Sequence, residues 1–169
     1  MLIYCHGVVQ SGKTAMLIEE YEKNENKRRL TLKSDISYRF NPKIESRNGS
    51  SISCQPFSVC RKMDFSDFDF IFVDEAQFLD EKDVFFLKEI SDRENIIVFC
   101  SGITSNHKLE RFDGSKALFQ LSNIDIHVKK LCTCGRSAVV NWRVYKKRNE
   151  QSDNYMPICY VCYSKKKFK

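Results

Sequence analysis

The chain has 169 residues, and its 28 Lys and Arg outweigh 22 Asp and Glu to give a formal charge of +6. With 42% hydrophobic and 30% charged residues it can bury a core, while six glycines and three prolines exclude a collagen-like or low-complexity chain. No run reaches the roughly 18 consecutive apolar residues of a membrane helix, so no membrane partner is expected.

The first residues, Met1 to Gly7, lack a basic start, a secretory apolar stretch and a cleavage site, which sets the expectation of a cytoplasmic protein. Leu2 to His6 reads as a buried strand. A Gly-containing turn follows, and then Ala15, Leu17, Ile18 and Tyr21 recur at helical spacing within Lys13 to Lys23. A second strand is expected at Arg29 to Lys33. Residues 34 to 57, rich in Ser and Asn, read mostly as loop. Phe68 to Asp74 is a strong central strand, Glu81 to Ile90 a helix, and Asn95 to Cys100 another buried strand. Ser101 to Arg111 is polar and reads as mobile. Ser115 to Leu121 suits a helix, and Ile126 to Leu131 an extended segment. Strands alternating with helices predict an α/β fold, a parallel sheet with flanking helices.

The character changes near Leu131. A Val139 to Val144 extended run, a basic loop and a basic tail follow, too little for a second large core unless a metal staples it. The expected division is an α/β domain over residues 1–127 and a small module over 128–169. The Lys146-Lys147-Arg148 run and the Lys165–Lys169 tail read as solvated surface. Within the module Trp142 reads as core, and alternation puts Asn141 toward a bound base.

Eight cysteines are about 5% of the chain, below the 8–10% of a disulfide scaffold. Four of them form two close pairs, Cys132 with Cys134 and Cys159 with Cys162. Four thiolates so spaced suit tetrahedral Zn²⁺ and leave no open position, so the expected metal is structural.

Gly7-Val8-Val9-Gln10-Ser11-Gly12-Lys13-Thr14 fits GxxxxGK[ST] at every position, after a strand and before a helix. Such a loop turns backbone N–H groups around a phosphate, and the helix N-terminus adds its positive end. Lys13 reaches the β- and γ-phosphates of ATP, and the Thr14 hydroxyl binds Mg²⁺. Downstream, an apolar strand ends in Asp74-Glu75. In phosphate-loop folds the acid after such a strand holds Mg²⁺, the role expected of Asp74. Glu75, one step on, is set to take a proton from an attacking hydroxyl. Ala76 and Gln77 complete the segment counted with the ATP site.

These motifs, in order, resemble the zinc-containing, phosphate-loop thymidine kinase family. Val73-Asp74-Glu75-Ala76-Gln77-Phe78-Leu79 resembles its most specific signature, and Ser46-Arg47-Asn48-Gly49 an S-R-x-G segment. Ile36 to Phe40 resembles a D-x-R segment. Residues 100–115, 128–138 and 155–162 track further stretches, including the one after a substrate-binding lasso loop. The resemblance implies transfer of the ATP γ-phosphate to the 5′-hydroxyl of thymidine or a related deoxynucleoside, with Glu75 as general base. It implies Arg39 near the phosphates, Val9, Phe78, Phe112 and Tyr155 around the nucleoside, a homotetramer, and feedback by a triphosphate product. His107 is a further candidate substrate contact. The triphosphate side keeps the family pattern. The nucleoside side departs from it, with Ser37 in place of an Asp, Asn106-His107 in place of Asp-Phe, and no glycine in the lasso at 149–154. A divergent but working nucleoside kinase is the expectation.

Two alternatives remain. A non-catalytic nucleotide-binding relative would fit the drifted lasso, although a pure binder has no need of Glu75. Asp74-Glu75-Ala76-Gln77 also resembles the DEAx box of nucleic-acid-stimulated ATPases. Helicase cores of that type need two sheet domains, and nucleic acid is therefore not expected as a partner.

Overall fold

The computed structural model describes residues 1–144 and 154–167. The elements are β1 (Leu2–Gly7), α1 (Lys13–Lys23), β2 (Arg29–Lys33), α2 (Asp35–Phe40), β3 (Lys43–Glu45), β4 (Ser51–Ser53), β5 (Gln55–Pro56), β6 (Phe70–Asp74), α3 (Glu81–Arg93), β7 (Ile97–Ile103), α4 (Asp113–Leu121), β8 (Ile124–His127), β9 (Val140–Val144), β10 (Asn154–Ile158) and α5 (Tyr160–Lys167). Short 3-10 turns lie at Phe57–Lys62 and Ala76–Phe78.

Six strands form one sheet in the order β5-β2-β6-β7-β1-β8, and every pairing in it is parallel. β7 therefore lies between the strand that feeds the phosphate loop and the strand that ends in the acids. Both faces are covered, which is why β1 and β6 carry nearly continuous apolar runs. On one face Val84, Leu87 and Ile90 of α3 and Leu118 of α4 pack over Leu2, Tyr4, Ile71, Val73 and Val98. On the other, Leu17 and Ile18 of α1 pack with Ile44 over Cys5, Phe72 and Phe99. Asp80 opens α3 with a capping box, its carboxylate accepting from the Asp83 N–H at 2.7 Å. No helix among the described residues is long and apolar enough to cross a membrane.

Residues 34–57 are more structured than a loop. β3 and β4 form an antiparallel hairpin that buries Ile44, and β5 adds an edge strand beside β2. The buried Lys33 ties the segment down by donating to the Asn41 and Lys43 carbonyls at 3.2 and 2.8 Å. These elements are two to six residues long and α2 buries no side chain, so none leaves a hydrophobic period. Ser101–Arg111 is likewise ordered: β7 runs on to Ile103, Ser105 bridges Arg111, and the Asn106 side chain accepts from the Lys108 and Glu110 N–H groups.

The strands β9 and β10 pair antiparallel in a separate two-stranded sheet. Its apolar cluster contains Ala138, Val140, Ile158, Tyr163, Cys132 and Cys159, and also Val8 from the phosphate loop. The cysteine module thus packs on the loop itself.

Candidate functional site

β1 delivers the chain to the phosphate loop at the C-terminal edge of the sheet. Gly12 sits at φ 99°, a conformation that favours glycine, and releases the chain into α1 without a side-chain cap. Lys13, the first helical residue, is buried, and its ammonium donates to the Val8 carbonyl at 2.7 Å and the Ser11 hydroxyl at 3.3 Å. Burial pulls the Lys13 pKa down, while the charges of Glu75, Cys5 and Asp74 oppose that shift. A buried cation with no directly bonded carboxylate attracts an incoming anion.

Asp74, at the end of β6, is buried across from the loop. The Thr14 hydroxyl lies 3.4 Å from its Oδ1, and Ser101 on β7 donates a short hydrogen bond to the same oxygen. Burial, and then the charge of Glu75, raise the Asp74 pKa. A carboxylate so placed gains from a cation beside it, which fits an Mg²⁺ held by Thr14 and Asp74. Glu75 follows in the left-handed region at φ 55°, where non-glycine residues sit at a cost of about 1–3 kcal/mol and cluster at functional sites. That turn carries its carboxylate into the cleft, where Gln77 Nε2 donates to it. The side-chain oxygen Oε1 of Gln77 accepts from the Ile103 N–H at 3.1 Å. Gly102 makes this approach possible, because a Cβ there would stand 2.7 Å from Gln77 Oε1.

These groups line one cleft of about 440 Å³, bounded by Val9, Gln10, Gly12, Lys13, Thr14, Asp74, Glu75, Gln77, Phe78 and Ile103. A shallower hollow adjoins it and shares Gln77 and Phe78, with Phe112 on its far side. The Phe78 and Phe112 rings meet edge to face at 5.5 Å. Tyr155 stands 6.3 Å from His107, and its carbonyl accepts from Gln10 Nε2 at 2.9 Å.

Most sequence-predicted residues converge here. Eight do not line the cleft: Ser11, His107 and Tyr155 lie outside its lining, Phe112 belongs to the adjoining hollow, and four more are placed elsewhere. Gly7 ends β1, Val8 is buried in the module's cluster, Ala76 belongs to the sheet core, and Arg39 sits exposed on α2. A different arginine, Arg47 at the tip of the β3–β4 hairpin, reaches the cleft wall with Ser46 and Asn48. Asn141 does not face a base. Its side chain is buried between two backbones, accepting from the Val9 N–H at 2.8 Å and donating to the Ser105 carbonyl at 2.8 Å. Ser101 and Arg47 had faint signals, a polar residue continuing a buried strand and an arginine in a glycine-turn motif. The lasso at 149–153, the Lys146–Arg148 run, and Phe168 and Lys169 fall outside the described residues.

The sulfurs of Cys132, Cys134, Cys159 and Cys162 lie within 4.8 Å of one another, with Cys134 and Cys159 3.5 Å apart. Zn–S bonds of about 2.3 Å in a tetrahedron put sulfurs about 3.8 Å apart, so the set fits Zn²⁺. The backbone N–H groups of Cys134 and Cys159 hold the Cys132 thiol well below the usual range, and a thiolate is the ligand form.

Comparison with known proteins agrees with this geometry. The thymidine kinase family model matches residues 1–163. A thymidine kinase of Mesorhizobium japonicum is 32% identical over 151 residues, 82% of this chain and 74% of that one. A thymidine kinase of Pasteurella multocida is 27% identical and is covered over 97% of its length by 98% of this chain. A solved structure of Pif1 helicases on forked DNA matches 76% of this chain and 39% of that one with a TM-score of 0.50 and 12% identity, a likeness of fold alone.

Proposed function

The chain belongs to the thymidine kinase family, and on that premise we propose that its cleft transfers the γ-phosphate of ATP to the 5′-hydroxyl of thymidine or a closely related deoxynucleoside. One observation carries the reading: Lys13 and Thr14 of the phosphate loop face Asp74 and Glu75 across a single cleft.

Phosphoryl transfer asks for positioning and charge neutralisation more than for covalent chemistry. The phosphate-loop backbone and Lys13 hold the β- and γ-phosphates. Mg²⁺, when bound, neutralises charge between those phosphates, and Thr14 and Asp74 are the residues to hold it. Glu75, oriented by Gln77, accepts the proton of the 5′-hydroxyl. The nucleoside oxygen then forms its bond to the γ-phosphorus, the bond to the β-phosphate oxygen breaks, and ADP leaves with that electron pair. Arg47 is better placed than Arg39 to meet phosphate charge at the cleft wall. Phe78 in the cleft and Phe112 in the adjoining hollow supply aromatic faces for the nucleoside, and Val9, His107 and Tyr155 are carried over from the sequence reading as further contacts.

The four cysteines hold a structural Zn²⁺ and take no part in the transfer. The division into residues 1–127 and 128–169 is kept as the functional division, with the module carrying the lasso. From the family resemblance we carry over a cytoplasmic homotetramer that supplies dTMP for DNA synthesis and is inhibited by the triphosphate product.

The test is transfer of labelled γ-phosphate from ATP to thymidine, deoxyuridine and deoxycytidine, with Glu75→Gln beside the parent. Label on thymidine that is lost in the variant supports both the kinase and its base. ATP binding without transfer to any nucleoside would favour a non-catalytic relative.

A further inference from the structure

The geometry points to Asn141 as a positioning residue, through which the cysteine module sets the shape of the phosphate loop and hence its affinity for ATP. The inference rests on the kinase reading above and adds a residue outside the cleft to its machinery.

Three successive loop residues are gripped by the module, each in a different way. Val8 is buried in the module's apolar cluster with Val140, Ile158 and Tyr163. The Val9 N–H donates to Asn141 Oδ1 at 2.8 Å. The Gln10 amide donates to the Tyr155 carbonyl at 2.9 Å. Only the grip on Val9 acts on the loop's own backbone from a buried side chain, because Asn141 is 2% exposed whereas the Gln10 contact is open to solvent. The other end of the Asn141 amide is also committed, donating to the Ser105 carbonyl at 2.8 Å in a buried contact.

The two bonds fix the amide's orientation. Exchanging its oxygen and nitrogen would set donor against donor at Val9 and acceptor against acceptor at Ser105, so only one orientation is satisfied. A peptide plane held in this way fixes the turn between Val8 and Gln10. Gln10 itself sits at φ 62°, in the left-handed region, so the turn has little intrinsic preference to hold it. Downstream of that turn stand Gly12, Lys13 and Thr14, which meet the phosphates. Ser105 follows β7, whose Ile103 N–H orients Gln77 and thereby Glu75. Asn141 therefore joins the module, the phosphate loop and the strand beside the base.

The test uses the full chain at a temperature where every variant is folded by its melting curve. Asn141→Ala removes both bonds. Asn141→Asp keeps an acceptor for Val9 and loses the donor to Ser105. Trp142→Leu removes the neighbouring edge contact with Tyr163, 5.8 Å between ring centres, and weakens the module's apolar cluster while leaving both Asn141 bonds in place. The readouts are hydrogen exchange at the Val9 amide, Mg-ATP binding by calorimetry, and the KM values for ATP and thymidine.

In Asn141→Ala we expect loss of Val9 amide protection, ATP affinity weaker by about tenfold and thymidine KM within about twofold of the parent. Asn141→Asp keeps most of the protection and lies between the two. Trp142→Leu lowers the melting temperature with ATP affinity within about twofold. Unchanged ATP affinity in Asn141→Ala overturns the proposal, as does an equal loss in Trp142→Leu, which would make the effect one of module stability alone. A parent that binds no ATP would remove the kinase reading, and this proposal with it.

Discussion

The loop end of the cleft, where we place the phosphates, and the aromatic end, where we place the nucleoside, are built on different principles. At the phosphate end Lys13 and Asp74 are buried, and their positions come from strand ends and a helix start in one sheet. At the nucleoside end Phe78 is 38% exposed, and Phe112, His107 and Tyr155 come from separate segments whose rings meet at 5.5 to 6.3 Å. Stabilising the charge on a transferred phosphoryl group demands fixed dipoles and ions, which a rigid framework supplies. A base needs flat apolar faces and a few backbone groups, and several arrangements serve. The first end is therefore constrained residue by residue, while the second has room to drift.

Glu75→Gln tests the rigid end most severely. We expect kcat to fall by about 10²–10⁴ with ATP affinity retained, measured by steady-state transfer and nucleotide binding. A loss of ATP affinity instead would mean that Glu75 belongs to the loop's architecture. Cys159→Ser should release the metal and cost at least about 4 kcal/mol in urea unfolding, because metal affinity in such modules is folding free energy. Phe112→Ala probes the adaptable end. Its effect should appear as an increase of about tenfold in thymidine KM, with ATP KM nearly unchanged. Equal increases in both would erase the distinction between the ends.

The smallest expected effect concerns acid stability. His6 stacks on His127 at 5.1 Å and against Phe119 at 4.6 Å, and its Nδ1 is buried without a partner. Burial lowers its pKa, with His127, Lys13 and Arg111 adding to the shift and Asp125 opposing it. The unfolded chain then takes up a proton near pH 6.5 before the folded one does, so stability is full above that pH and declines as pH falls through the depressed folded value. His6→Phe, which keeps a ring, should flatten the drop in melting temperature as pH falls below about 6.5.

Local motifs were readable because their chemistry depends on adjacent residues. Val9, Gln10 and Gly12 to Thr14 line one cleft with Asp74 and Glu75, the four cysteines cluster, and the bounds of α1 and β2 coincide with the expected ones. The reading of β7 stopped at Cys100, because Ser101 and Gly102 look like a loop. Both are buried, since Ser101 has Asp74 to bond and Gly102 makes room for Gln77. α2 and the β3–β4 hairpin were missed for want of a hydrophobic period, and with them the placement of Arg47 instead of Arg39 at the cleft. For Asn141 the local signal is strand alternation alone, which suggests a base and not two backbone groups as its partners. Its role comes from two backbone groups, one of them 132 residues away.

That long span bears on how the protein is made. A ribosome delivers the phosphate loop first, and α/β sheets can begin to organise as their strands emerge. The apolar cluster around Val8 is nevertheless incomplete, and the Val9 N–H lacks its Asn141 acceptor, until β9 has been synthesised. The phosphate loop thus acquires this contact only after β9 has emerged. A nascent chain halted before residue 141 would display the full GxxxxGKT signature while its loop still lacked the side-chain contact that fixes the Val9 peptide.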